Sequence, residues 1–201
     1  RSRTYVKKVL EKISGEIFKN YKVNSINRNE NNVRIKIGDD YLDYDHVVLA
    51  SHADQSLKML DNPTEEEQRI LSKFKYVSNE AILHSDERFM PKKKLAWSSW
   101  NSISNGSQTC ETYWLNNLQN LNYDQNFFLT LNPISEINKK NIIKIINFTH
   151  PYFNSETLKY QKSLLSIQGK KRTWFCGSYF SYGFHEDGIK SAINLIENFK
   201  I

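Results

Sequence analysis

The sequence predicts a mixed α/β fold. Short strand-like runs separated by turn residues occupy the first quarter of the chain and most of its middle. Near the C-terminus the pattern changes to a short strand, a glycine-containing loop and a helix with apolar residues at helical spacing. This last unit is the one with which α/β proteins bind cofactors at the carboxyl ends of strands. The length of 201 residues fits one domain or parts of two.

The first quarter of the chain predicts a helix, an antiparallel meander and a buried strand. Apolar residues at helical spacing indicate the helix: Val6, Val9, Leu10 and Ile13. Three strand-like runs follow, separated by turns rich in Asn, Gly and Asp: residues 21–23, 33–37 and 41–44. The compact apolar run 46–50 is typical of a strand that is buried on both faces.

The middle of the chain predicts a helix and then an aromatic sheet. Thr64 and Glu67 have the spacing of a capping box and indicate a helix start. Strand-like runs follow: residues 81–84, 95–97, 112–114 and 127–131. The aromatic side chains of this sheet, including Trp97, Trp100 and Trp114, either wall a ligand cavity or fill an ordinary core.

Composition and charge narrow the class of protein. The net charge is +6, but the basic clusters 92–94 and 170–172 follow turn residues and are typical of solvated loop ends rather than a nucleic-acid patch. The two cysteines lack metal-ligand spacing, so we expect no metal site and a reducing, cytoplasmic location. No apolar run approaches the ~20 residues of a membrane span.

The stretch from Gly177 to Ile189 is the most informative part of the sequence. Gly177 and Gly188 permit close approach of a ligand to the backbone, and Gly188 lies near the start of the final helix. The free N–H groups and the dipole of a helix start favour negative charge, which a reduced flavin gathers at N1 and at the C2 carbonyl oxygen. A purely structural glycine loop has the same pattern. His185 and His52 are likewise either functional or ordinary hydrogen-bonding residues.

A family resemblance adds to this interpretation. The run Trp174-Phe175-Cys176-Gly177, followed by residues 185–192, resembles the closing flavin motif of the amine oxidase superfamily: a hydrophobic strand, Gly-Asp or Gly-Glu, a loop, and Glu-Gly-Ala at a helix start. Further matching stretches cover nearly all of the chain: residues 2–6, 44–55, 96–101, 112–116, 130–133, 149–151 and 172–192. The chain is similar to a bacterial group of NAD/FAD-binding, amine-oxidase-like proteins.

The resemblance implies FAD as cofactor and assigns residues to it. Val23 corresponds to a valine whose backbone meets the adenine end, and Ala50 and Ser51 end the strand that passes beside the dinucleotide. Near the C-terminus, the resemblance implies a turn on the phosphate and ribityl side and a helix start under the pyrimidine ring. Ser178 stands where the family usually has an acidic residue. The predicted cofactor-binding residues of this region are Gly177, Ser178, His185, Asp187, Gly188 and Ile189.

These observations predict the C-terminal part of a two-domain FAD-binding oxidoreductase fold. Residues 1–53 and 166–201 are assigned to the FAD-binding domain, and residues 54–165 to a mixed-sheet substrate-binding domain. The sequence contains no Gly-x-Gly-x-x-Gly, so we expect a fragment that lacks the N-terminal dinucleotide-binding segment.

The predicted function is an FAD-dependent oxidoreductase that transfers hydride from a small-molecule or acyl substrate to flavin. No catalytic residue is assigned, because the sequence places neither an aromatic cage nor a lysine beside the flavin. Two alternatives from other classes stay open at this point. They are a non-catalytic remnant that serves as a partner surface and a basic nucleic-acid-binding module.

Overall fold

The computed structural model describes residues 2–199, the side chain of Ser2 excepted. The chain divides into two compact units: the first combines Arg1–Phe74 with Ser155–Ile201, and the second is Lys75–Asn154. Residues 54–74 and 155–165, which the sequence assigned to the substrate-binding domain, therefore belong to the first unit. The assignment of functions to the segments stays a prediction. Arg1, Lys200 and Ile201, which fall in the predicted outer segments, lie outside the described residues.

The first unit begins with the predicted helix and meander. Helix α1 is Ser2–Leu10, and three antiparallel strands follow: β1 Val23–Arg28, β2 Val33–Ile37 and β3 Asp40–Tyr44. The prediction of a first strand at residues 21–23 was wrong, because the strand starts at Val23 and runs on to Arg28. Ile26 and Arg28 alternate into the core. The apolar pattern does not extend along this strand, because its inward-facing position 28 is an arginine.

A short strand and two helices complete this part of the first unit. Strand β4 is Val47–Leu49, α2 is Ala53–Met59 and α3 is Glu65–Leu71. The predicted capping box is confirmed, since the Glu67 N–H donates to Thr64 Oγ1 at 3.1 Å and the Thr64 N–H to Glu67 Oε2 at 2.7 Å. The prediction that β4 is buried on both faces was wrong for its central residue, because Val48 is 47% exposed.

The second unit is a five-stranded antiparallel sheet with the strand order β6-β7-β8-β5-β9. Its strands and one short helix are β5 Lys75–His84, β6 Trp100–Ser104, β7 Thr109–Trp114, α4 Leu115–Leu118, β8 Phe128–Leu131 and β9 Ile142–Tyr152. One face packs on a core that includes Ile82, Phe89, Cys110 and Ile137. The prediction of a strand at residues 95–97 was wrong, because Lys94–Ala96 forms a 3-10 turn.

The chain then returns to the first unit. Helix α5 is Ser155–Gln161, β10 is Thr173–Phe175 and α6 is His185–Asn198. The predicted strand, glycine loop and helix at this end are confirmed. Strand β10 pairs in parallel with β4. The buried side of α6 carries Ser191 and Leu195. Of the apolar residues predicted at helical spacing, Ala192 and Phe199 pack against the core around Trp174, whereas Ile189, Ile193 and Ile196 are exposed. None of the helices described between residues 2 and 199 has the length and apolar character needed to cross a membrane.

A buried ion pair joins β1 to α3, and its arginine also reaches β10. The guanidinium of Arg28 donates to Glu67 Oε1 at 2.6 Å and to Oε2 at 2.9 Å, and both side chains are almost fully buried. The same guanidinium donates to Thr173 Oγ1 at 3.1 Å and to the Asn62 carbonyl oxygen at 2.9 Å. Burial by itself raises the pKa of Glu67, but hydrogen bonds from Arg28 and Thr64 more than offset it and lower the pKa below its ordinary value.

A buried histidine organises the core of the second unit. The Asp86 N–H donates to His84 Nδ1 at 3.0 Å, so the neutral ring carries its proton on Nε2 and donates to Thr130 Oγ1 at 2.7 Å. The hydroxyl of Thr130 lies 2.8 Å from that of Thr112. Burial lowers the pKa of His84 from 6.5 to about 4, with a smaller opposing effect from Asp86. Protonation would place a hydrogen on Nδ1 against the N–H of Asp86.

We expect Arg28→Met to lower the free energy of unfolding by about 3–5 kcal/mol, because it leaves the Glu67 carboxylate buried without its partner. Arg34→Met is a matched control, since Arg34 also makes a two-pronged pair with Asp43 but at the surface. The control is expected to cost about 0.2–1 kcal/mol. Urea denaturation followed by circular dichroism measures both variants. Equal losses of unfolding free energy in the two variants would show that the buried pair contributes no more to stability than the surface pair.

We expect His84 to make stability depend on pH. The folded-state pKa of about 4 lies below the unfolded value of 6.5, so the contribution is complete above pH 6.5 and is lost as the pH falls towards 4. Between pH 7.5 and 5 the loss from this residue is roughly 2 kcal/mol, at ~1.36 kcal/mol per pH unit. His84→Gln should remove this part of the slope in urea titrations, whereas His150→Gln, at an exposed position, should not. Identical slopes in all three proteins contradict the assignment.

Candidate functional site

The carboxyl ends of β4 and β10 lie side by side. The Cys176 N–H donates to the Leu49 carbonyl oxygen at 3.1 Å, which carries the pairing one residue beyond β10. Ala50 and Ser51 therefore leave one strand at the same edge at which Gly177 and Ser178 leave the other. A Cβ placed on Gly177 would lie 3.8 Å from the Ser51 carbonyl oxygen. The structure thus brings these four predicted residues together.

Gly177 is held in a conformation that excludes a side chain. Its φ is 153°, and a Cβ there would meet the ring of Tyr179 at 2.8 Å. Tyr179 is buried and packs edge to face on Phe74, with ring centroids 5.2 Å apart. The Gly177 N–H donates to Ser191 Oγ at 2.9 Å. The glycine turn is therefore held by the ring of Tyr179 on one side and by a hydrogen bond to Ser191 of α6 on the other.

The start of α6 lies against this turn. A Cβ on Gly188 would lie 3.8 Å from the Ser178 nitrogen, so there is room for a methyl group at ordinary contact distance. Ser191 Oγ donates to the Gly188 carbonyl oxygen at 2.7 Å. The Asp187 carboxylate accepts N–H groups from Tyr182 at 3.2 Å and Phe184 at 3.0 Å. Asp187 thus orders the loop that precedes the helix.

The helix start is accessible. Gly188 is half-buried, His185 is exposed and Ile189 is 58% exposed. A cavity of about 960 Å³ runs along α6 and reaches Asp187 and Ser191. The first N–H groups of a helix have no acceptor within the helix. The N–H groups of Asp187 and Gly188 donate to the Phe184 carbonyl oxygen at 3.1 and 3.2 Å. The amide donors left without an acceptor inside the helix are therefore those of His185 and Glu186, in its exposed first turn.

One predicted residue lies elsewhere. Val23 begins β1 and pairs with Ile37. Within the described part of the chain, no hydrogen bond or strand pairing joins Val23 to the shared edge of β4 and β10. Of the two histidines left open, His185 is exposed and His52 precedes α2, where its carbonyl oxygen accepts the Ser56 N–H at 2.8 Å.

The structure adds residues that sequence reasoning missed. Tyr179 and Ser191 fix the glycine turn, and only the spacing of Ser191 one helical turn after Gly188 hinted at its role. Asp54, in the first turn of α2, has a buried Oδ1 for which no hydrogen-bond partner is found among the described residues. A buried carboxylate oxygen without a donor is costly, and a ligand hydroxyl would satisfy it.

The tryptophans of the second unit divide into two groups. Trp97 packs edge to face on Trp114, with centroids 5.2 Å apart, and on Phe128 at 5.8 Å. These two tryptophans therefore fill a core. Trp100 is 63% exposed and stacks on Tyr113.

The residues at the shared edge fit a dinucleotide cofactor on three structural grounds. Gly188 leaves space close to the backbone, the helix start offers amide donors to partial negative charge, and Asp54 offers an acceptor to a hydroxyl group. Glu186 and Asp187 bring acidic groups to the first turn of α6. The Asp187 carboxylate is engaged by two backbone N–H groups, and Glu186 is exposed to solvent, which screens its charge.

Known structures share this fold. A fatty acid isomerase from P. acnes that produces CLA aligns with 100% of this chain and 52% of its own, at 14% identity and a TM-score of 0.69. Putrescine oxidase bound to putrescine aligns over 98% and 53%, at 11% identity and a TM-score of 0.65. Cyclohexylamine oxidase from Brevibacterium oxydans IH-35A aligns over 88% and 48%, at 10% identity and a TM-score of 0.57. The chain thus spans about half the length of these proteins.

Sequence comparison identifies the family. No match was found among curated proteins. The model of the family "flavin containing amine oxidoreductase" matches residues 3–121, which is more than half of the chain. The mixed α/β fold, the family and the flavin cofactor predicted from the sequence are confirmed by these findings. The chain belongs to the flavin-containing amine oxidoreductase family.

Proposed function

We propose that the protein containing this chain is an FAD-dependent oxidoreductase and that the chain supplies one wall of its cofactor site. The observation that carries the proposal is the meeting of two parallel strand ends with an accessible helix start at one edge. Open α/β sheets bind their ligands at this kind of edge. When bound, FAD would accept the hydride that leaves a substrate carbon as its carbon–nitrogen or carbon–carbon bond is oxidised.

Each residue of the shared edge has a proposed task. The amides at the start of α6 stabilise negative charge on the pyrimidine side of the cofactor, with Gly188 and Ile189 nearest to it. Gly177 and Ser178 face the phosphate and ribityl side, and Ala50 and Ser51 pass beside the dinucleotide. We assign Asp54 Oδ1 to a ligand hydroxyl, because this atom is buried without a donor, whereas Oδ2 lies 3.8 Å from Lys58 Nζ.

The role of Val23 at the adenine end rests on the family resemblance alone. His185 is exposed, and we retain it only as a residue that borders the cofactor.

The substrate is proposed to be a small molecule. The similar structures are named for putrescine, for cyclohexylamine and for a fatty acid. An amine and an acyl substrate are therefore both compatible with the fold. The proposed reaction is hydride transfer from such a substrate to the flavin.

Two of the three residues in the basic cluster before β10 are engaged within the fold, which supports a loop end rather than a nucleic-acid surface. Lys170 pairs with Glu66. The Arg172 guanidinium donates to the carbonyl oxygens of Glu30 at 2.7 Å and Asp45 at 3.3 Å. These cationic groups therefore already have partners in the first unit.

We expect Gly188→Ala to stabilise the fold while weakening flavin binding. Alanine is favoured over glycine within a helix by about 0.5–1 kcal/mol, and the structure has room for the methyl group. The same methyl group would stand between the helix start and the cofactor. Urea denaturation measures the stability, and chemical-shift changes on FAD addition measure the binding. Lys190→Ala in the same helix is the control, and an undiminished FAD response in Gly188→Ala would argue against a flavin at this helix.

We expect the 201-residue chain by itself to bind FAD weakly, with a dissociation constant on the order of 0.1 mM or above, because its sequence has no Gly-x-Gly-x-x-Gly to cradle the pyrophosphate. Titration of ¹⁵N-labelled chain with FAD should shift the amide signals of Ser51, Gly177, Ser178 and Gly188. Adenosine alone should not shift the Gly188 signal. Shifts confined to other surfaces, or tight stoichiometric binding, would overturn this part of the proposal.

A further inference from the structure

The cavity along α6 extends beyond the edge that is proposed to hold the cofactor. Its volume of about 960 Å³ lies within the range of small-molecule sites. It is lined by α6, by α5 and by the 3-10 helix Lys162–Ile167, all of which belong to the first unit. Among the described residues that are assigned to the cofactor, only Asp187 lines it. The cavity therefore offers space for a second ligand beside the cofactor edge.

A buried tryptophan on the wall of this cavity lacks a hydrogen-bond partner. Trp174 is 8% exposed, and its ring packs on Phe199 with centroids 5.0 Å apart. Its Nε1 is buried, and no acceptor for it is found among the described residues. The indole nitrogen can only donate, and a buried donor without an acceptor is costly. An acceptor atom of a ligand in the cavity would remove this cost.

Large apolar side chains surround the opening. Leu165 is 68% exposed and Tyr182 is 71% exposed, although both line the cavity. Leu158 and Phe180 are further members of the same wall. Apolar and aromatic groups that stay open to solvent around a cavity are typical of a site that receives the apolar body of a ligand.

The acceptor groups of the wall are largely committed to the protein itself. The Asp187 carboxylate already accepts two backbone N–H groups. Gln168 Oε1 accepts the Phe175 N–H at 2.9 Å, and Ser191 Oγ accepts the Gly177 N–H at 2.9 Å. These groups orient the protein backbone, so a ligand would meet the remaining donors instead.

Two lysines add positive charge to the wall. Within residues 2–199 no acidic side chain forms an ion pair with Lys162, which lines the cavity. Lys190 lies 3.5 Å from Glu186, but both side chains are about two-thirds exposed, so the pair is weak. Two cations and a buried indole N–H, next to a carboxylate that is already hydrogen-bonded, favour an anionic ligand over a cationic one.

We infer that this cavity binds an aromatic carboxylate. The ring system of the ligand packs among Leu165, Phe180 and Tyr182, and its carboxylate accepts from Trp174 Nε1 and faces Lys162. Because the indole N–H is shielded from solvent, binding includes a small movement of the indole ring towards the ligand. The inference rests on the first unit alone and goes beyond the proposed function, since the flavin is assigned to the neighbouring edge.

Titration of the ¹⁵N-labelled full chain with 2-naphthylacetate, without FAD, tests the inference. We expect a dissociation constant on the order of 0.1–1 mM and a shift of the Trp174 Nε1–H signal, which Trp174→Phe identifies. 2-Naphthylacetamide, which has the same rings without the charge, should bind about ten-fold more weakly. The cation 2-(2-naphthyl)ethylamine should bind more weakly still.

Two pairs of variants test the groups that are proposed to hold the carboxylate. Lys162→Glu should weaken 2-naphthylacetate about ten-fold, whereas Lys159→Glu, at an exposed position of α5 outside the cavity, should change the affinity less than two-fold. Trp174→Phe should weaken it about ten-fold through loss of the donor. Trp100→Phe, in the second unit, should leave it unchanged. Circular dichroism shows which variants are folded, and the wild-type Trp174 signal decides the matter if Trp174→Phe is not.

Three results would overturn the inference. They are an unmoved Trp174 Nε1–H signal, binding of the amine as tight as that of the acid, and equal effects of Lys162→Glu and Lys159→Glu. Displacement of 2-naphthylacetate by FAD would equally overturn it, because the cavity would then belong to the cofactor site. Failure of FAD to bind leaves the 2-naphthylacetate results unaffected, so the two proposals fail separately.

Discussion

The buried Arg28–Glu67 ion pair stands at the centre of the first unit. Its chain is interrupted by the whole second unit, so its two parts must be held by contacts between residues far apart in sequence. Arg28 supplies one of them at the centre of the core, because its guanidinium binds Glu67 within the first part and also donates to Thr173, which is 145 residues away in the second part. The pair is fully hydrogen-bonded, which is the condition under which a buried charge is tolerated. The position of β10 beside β4, and with it the candidate site, is tied to this interaction.

At the site, the two glycines differ in what the fold demands of them. Gly177 is required by the fold, since its φ and the ring of Tyr179 exclude a side chain. Gly188 is not, since the structure has room for a methyl group at that position. A helix glycine without a packing reason is compatible with close approach of a ligand, which is the role proposed for Gly188. The structure thus separates a glycine that the turn requires from one that the fold itself does not require.

The core of the second unit combines apolar and polar side chains. The face of the sheet that packs on the core carries Ile82, Cys110 and Phe128 together with a hydrogen-bonded histidine and two threonines. The buried network is satisfied, so it specifies the packing of that face without leaving its polar groups unpaired.

Local signals determined what the sequence could predict. The capping box of Thr64 and Glu67, the meander from β1 to β3 and the strand, loop and helix at the C-terminus depend on residues a few positions apart, and family motifs in the same stretches indicated flavin. Tertiary structure decided the rest. The burial of Arg28, the exposure of Val48 and the contact of Ser191 with Gly177 depend on partners brought together only by the fold. Which face of a strand meets water follows from register, and register is set between strands rather than within them.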